Sequence, residues 1–79
     1  MKIKVLGSGC KNCKKLLENV TEAVNQIGLK AEILYVTDMM AIANSGLMRT
    51  PGLIIDEKIV SAGKVLTVEE AKDLLKEYL

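Results

Sequence analysis

A short β-branched run, Ile3-Lys4-Val5-Leu6, breaks at Gly7-Ser8-Gly9-Cys10-Lys11-Asn12-Cys13, and an apolar period of three and four begins at once. A strand that turns through glycines directly into a helix is half of a β-α-β unit, and both cysteines of the chain lie in that corner, two residues apart. From Asn12 the residues Cys13, Leu16, Leu17, Val20, Ala23, Val24 and Ile27 recur on one stripe, with Lys14, Lys15, Glu18, Glu22 and Asn25 between them, until Gly28 ends the period. Cys13 therefore belongs to the buried stripe, while Cys10 sits at or just before the helix start, within reach of solvent. A thiolate there faces unpaired N–H groups and the positive end of the helix dipole, which favours its charged, nucleophilic form. Lys11, Lys14 and Lys15 add positive charge, although a lysine-rich first turn also serves as a plain solvated face.

The remainder continues the alternation. Glu32-Ile33-Leu34-Tyr35-Val36 reads as a second strand, parallel to the first across a right-handed crossover. Thr37 or Asp38 caps a short helix through Met39, Met40, Ile42 and Ala43 that ends at Gly46; the two methionines are expected to fill gaps in the core. After Arg49-Thr50-Pro51-Gly52, the runs Leu53-Ile54-Ile55 and Ile59-Val60-Ser61 flank Asp56-Glu57-Lys58 as a β-hairpin, with Glu57 where glycine would ease a positive φ. Thr67-Val68-Glu69-Glu70 is a capping box opening a last helix whose Val68, Ala71, Leu74, Leu75 and Tyr78 turn inward. The expected order is β-α-β-α-β-β-α, an α/β fold with a four-stranded mixed sheet and three helices, as one domain over residues 1–79.

Composition narrows the function. Eleven basic and ten acidic residues leave a net charge of +1, and aromatics make up 3% of the chain, so neither the basic footprint nor the stacking platform of a nucleic-acid binder is present. No apolar run approaches a membrane span or a signal core, so no membrane role and a cytoplasmic location are expected. A Cys-x-x-Cys disulfide closes too short a loop to constrain the unfolded chain much, so the pair is better explained by redox chemistry or metal binding than by stability.

With Cys10-Lys11-Asn12-Cys13 after the first strand and Thr50-Pro51 before a hairpin, the chain resembles thioredoxin-fold proteins. More narrowly it resembles the small glutaredoxin-like family called redox-active disulfide protein 2, through Gly7 to Cys13, Thr37-Asp38, Met48-Arg49-Thr50-Pro51, Val60-Ser61-Ala62-Gly63 and Val68-Glu69-Glu70. The resemblance implies a protein-disulfide oxidoreductase with Cys10 as nucleophile and Cys13 as resolving thiol, the Cys10–Cys13 redox-active disulfide being its only redox group and no separate cofactor being required. It implies a cis peptide before Pro51 and a substrate segment held by Thr50, Pro51, Gly63, Lys11 and Asn12, Gly63 allowing close approach of chain beside the site. Partners are then protein disulfides met by a monomer.

The chain also departs from the pattern of the families it resembles. Gly9 stands where thioredoxins have an aromatic, Lys11-Asn12 replaces Gly-Pro, and Lys4 occupies the place of a buried acid six residues before the first cysteine; Lys4 is placed to pair with Glu32 or to remain solvated. Ser61-Ala62-Gly63-Lys64 lacks the acid with which glutaredoxins hold glutathione, which favours a thioredoxin-reductase-like electron donor over glutathione. Two other functions fit a Cys-x-x-Cys pair. One is a soft-metal module for copper or zinc, which needs ligands beyond two thiolates in a chain without histidine. The other is an interaction or regulatory domain on a redox fold.

Overall fold

The computed structural model describes every residue except Ser8, Cys10, Met48, Tyr78 and Leu79. The order of elements is β1 (Lys2–Leu6), α1 (Lys11–Ile27), β2 (Glu32–Val36), α2 (Met39–Asn44), β3 (Gly52–Ile55), β4 (Lys58–Ala62) and α3 (Val68–Lys76), in agreement with the order read from periodicity. They form one four-stranded sheet, β2-β1-β3-β4, in which β1 and β2 are parallel and the β1–β3 and β3–β4 pairs antiparallel. No helix among the described residues is long and apolar enough to cross a membrane.

Strand alternation divides β1 between two faces. Ile3 and Val5 join Leu53 and Ile55 beneath α1 and α3, where Leu16, Val20, Ala23, Ala71 and Leu75 are fully buried. Burying a Leu, Ile or Val side chain contributes about 1.5–3 kcal/mol, so this layer is the main source of stability. Asn19 ties α1 to the loop before α3, its Nδ2 donating to the carbonyl of Leu66 at 2.8 Å. The opposite face carries Lys2, Lys4 and Leu6. There Leu6 and Ile54 meet Ile42 of α2 in a second, smaller cluster edged by Val36 and Leu47.

Two sequence expectations, on the methionines and on the hairpin loop, are corrected here, and two alternatives, the partner of Lys4 and the cap of α2, are decided. Met39 and Met40 are 63% and 69% exposed rather than core, because α2 has six residues and buries a single position, Ile42. Lys4 stands opposite Leu34, and Glu32 pairs in register with Lys2; the ion pairs among the described residues are Lys64–Glu70 and Lys72–Glu69, so Lys4 and Glu32 are not joined. The hairpin loop is two residues, Asp56 and Glu57, both with positive φ (47° and 72°), since Lys58 already pairs with Ile55. That is the I′ pattern, which matches strand twist and prefers glycine at its second position. Asp56 is held there: its N–H donates to the Lys2 carbonyl at 3.0 Å and its Oδ1 accepts from the Lys2 N–H at 2.9 Å. Asp38, rather than Thr37, caps α2, accepting from the Met40 N–H at 3.0 Å. Tyr78, expected on the inner face of α3, lies outside the described residues.

Candidate functional site

The C-terminal end of β1 gathers the pieces. Leu6 pairs with Gly52, and Gly52 with Ala62, so the residues just beyond these pairs form a row across the sheet. Gly7 donates its N–H to the Val36 carbonyl at 3.0 Å, and Gly63 donates to the Pro51 carbonyl at 2.8 Å. Antiparallel pairing of Leu6 with Gly52 sets Gly7 beside Pro51. The row therefore runs from Val36 through Gly7 and Pro51 to Gly63, and α1 starts immediately above it at Lys11.

Cys13 is fully buried at the first turn of α1, the inward position its place on the apolar stripe dictates. Its side chain rests on Gly7: a Cβ built on Gly7 would overlap Cys13 Sγ and come within 2.7 Å of its Cβ. Gly7 is thus glycine for close approach of a sulfur, not for turn geometry, a role that its place after a strand does not reveal. Lys11, Asn12, Lys14 and Lys15 are exposed around the helix start. Cys10, the residue before that start, lies outside the described residues, as does its relation to Cys13.

Pro51 is buried, Thr50 is exposed, and the peptide bond between them is cis. Gly63 has φ +71°, and the space that a side chain there would occupy is filled. The Cβ and Cδ of Arg49 each lie 3.0 Å from where a Gly63 Cβ would be. Reasoning from sequence missed Arg49, because the thirteen positions between it and Gly63 hide a contact made only when β4 returns beside β3. The row unites Pro51 and Gly63 with Gly7 and Cys13, while Lys11 and Asn12 stand on the helix turn above. At position 4, strand alternation sends the side chain to the face away from α1, so Lys4 does not approach Cys13 from beneath that helix. Among the described residues no three His, Cys, Asp or Glu side chains are grouped to hold a metal ion.

The geometry is a half-exposed strand–helix corner with a seated inner thiol and a buried proline beside it. Comparison with known proteins gives the same corner a family. The model of the thioredoxin domain matches residues 1–76. A thioredoxin of Methanocaldococcus jannaschii is 46% identical over 77 residues, covering 98% of this chain and 88% of its own length. A thioredoxin of Methanothermobacter thermautotrophicus is 40% identical over 75 residues, covering 95% of this chain and 97% of its own. None of these matches bears the narrower redox-active disulfide protein 2 name. On the extent of the domain match and the identity to both relatives, the chain belongs to the thioredoxin family.

Proposed function

We propose that this protein is a small cytoplasmic thiol–disulfide oxidoreductase that reduces protein disulfides through Cys10 and Cys13. The observation that carries the reading is the placement of Cys13: fully buried against Gly7 at the first turn of α1, with Gly7 beside Pro51 in the sheet, it is shielded from an outside disulfide. Such a thiol resolves; it does not initiate. The initiating thiolate is assigned to Cys10, because α1 opens at Lys11 and its first N–H groups have no intrahelical partners.

In the forward reaction the Cys10 thiolate attacks one sulfur of the substrate disulfide, forming a mixed disulfide and releasing the other sulfur as a thiolate that takes up a proton. Cys13 then loses its proton and attacks the Cys10 sulfur, releasing the second substrate thiolate. Two electrons and two protons pass to the substrate, and the Cys10–Cys13 dithiol becomes a disulfide with no other cofactor. Thr50 is exposed next to buried Pro51 and offers its backbone to an extended substrate segment, which Lys11, Asn12 and Gly63 flank. A thioredoxin-reductase-like donor, rather than glutathione, returns the two electrons to the monomer.

The test is reduction of insulin by the dithiol form, with dithiothreitol regenerating that form from the Cys10–Cys13 disulfide in situ. Cys10→Ser is expected to abolish turnover and mixed-disulfide formation, whereas Cys13→Ser is expected to accumulate a covalent adduct through Cys10 that mass spectrometry detects. A Cys13→Ser protein that turns over as the wild type does, or a Cys10→Ser protein that still forms the adduct, overturns the assignment.

A further inference from the structure

We propose that Arg49 is a specificity-determining residue that selects disulfides whose cysteine is flanked by an acidic side chain in an extended peptide. The inference rests on the reading of the site as a disulfide-reducing one. Arg49 is exposed, two residues before Pro51, and its aliphatic stem lies along the open side of Gly63, whose N–H is bonded to the Pro51 carbonyl. The side chain therefore spans from the segment before β3 to the turn after β4, next to Thr50, where a substrate segment pairing with that residue's backbone would pass. A stem held against backbone gives up less conformational freedom on binding than one free in solvent.

The guanidinium is not neutralised by any described residue. Among the described residues Arg49 enters no ion pair, and Lys64, next to Gly63, is drawn away to Glu70 at 2.7 Å. Lys11, Lys14 and Lys15 stand exposed on the first turns of α1, at the same end of β1. Glu32, Asp56 and Glu57 sit at the other end, around Lys2, where β2 begins and the β3–β4 hairpin turns. Lys2, Lys30 and Lys58 stand among those acids, whereas the site end sets Arg49 and the three α1 lysines against Asp38, at the start of α2, and Glu18, which leaves an excess of positive charge that a carboxylate on the substrate would satisfy. A planar guanidinium also offers a carboxylate two parallel N–H donors.

The experiment measures kcat/KM for three peptide disulfides that differ only in the residue beside the cysteine, Glu, Gln or Lys, together with glutathione disulfide, at low and at 0.5 M salt. The wild type is expected to prefer the Glu over the Gln peptide by about three- to fivefold at low salt, the scale of an exposed ion pair, through KM rather than kcat and with the preference screened at high salt. Arg49→Met keeps a stem to cover Gly63 and is expected to lose the preference; Arg49→Glu is expected to favour the Lys peptide, and thermal melting of both variants reports that the fold is retained. A wild type without preference, or a preference that survives Arg49→Met in a folded protein, overturns the proposal and leaves the oxidoreductase reading standing. A preference for glutathione disulfide over the Glu peptide assigns the carboxylate to glutathione and also overturns it. Failure of the wild type to reduce any of the disulfides overturns the function on which it rests.

Discussion

At the scale of single residues, the site depends on an atom that is absent. Gly7 has no side chain because the Cys13 thiol occupies that space, and the same residue donates its N–H to Val36. Gly7→Ala forces its new methyl into Cys13 and, as overpacking in a rigid corner does, is expected to destabilise the protein by about 1–3 kcal/mol in urea unfolding while slowing insulin reduction. Adding Cys13→Ala should recover only part of the stability, since removing the sulfur leaves the Cys13 Cβ, 2.7 Å from the new methyl. Full recovery in the double variant, or no loss in the single one, would show that the corner yields more readily than this packing implies. What the sequence disclosed here was chemical type: two cysteines at a helix start, with Cys13 on the buried stripe. What it hid were the partners of glycines, Cys13 on Gly7 and Arg49 on Gly63, because each depends on a tertiary approach and leaves no periodic trace.

At the scale of elements, the helices and strands were legible wherever a face is buried against a continuous layer. The α1 stripe, the strands β1 and β2, the short helix α2 and the α3 capping box were all legible in the sequence, whereas the inward face of α2 was not, since six residues are too few for a stripe to separate core from exposed methionines. The α3 box has a measurable acid signature. Thr67 Oγ1 accepts from the Glu70 N–H and Glu70 Oε1 from the Thr67 N–H, each at 3.1 Å, while Glu70 Oε2 meets Lys64 Nζ at 2.7 Å. The Lys64 hydrogen bond first, and the Thr67 backbone bond second, hold the Glu70 carboxyl below its ordinary value of 4.5. A carboxylate depressed on folding contributes stability that is present above its unfolded pKa and disappears as pH falls through the folded one. Melting temperature should therefore fall below about pH 4.5 partly through Glu70. Glu70→Gln preserves the reciprocal cap but not the charge, and should flatten that part of the acid limb. Thr67→Ala should cost about 1 kcal/mol at neutral pH, as loss of an N-cap does. An acid limb unchanged in Glu70→Gln would assign the loss to other carboxylates.

At the scale of the whole molecule, one face of the sheet is covered by two helices and the other by one short helix, and this imbalance decides what Lys4 does. Below α2 the sheet presents Leu34, Lys4, Ile54 and Ile59 as neighbours across all four strands, with Leu34 37% and Ile59 44% exposed. Lys2, Lys4, Ile54, Asp56 and Glu57 line an open groove there. An uninterrupted apolar stripe across a sheet, open at both edges, is a surface on which copies associate; a charge in its middle keeps that surface wet. The residue occupying the place of the thioredoxin acid is thus explained by the face it points to: α2 is too short to bury position 4, and a lysine there interrupts the stripe. Lys4→Leu should join Leu34 to Ile54 and Ile59 and produce concentration-dependent self-association in sedimentation velocity, while insulin reduction per chain is retained because position 4 lies on the face away from α1. Lys4→Gln, polar but uncharged, should remain at the wild-type sedimentation coefficient. If Lys4→Leu stays at that coefficient up to millimolar concentration, Leu34 and Ile59 are too far out on the sheet edges to form a continuous surface, and the reason for lysine at position 4 must be sought in the redox corner instead.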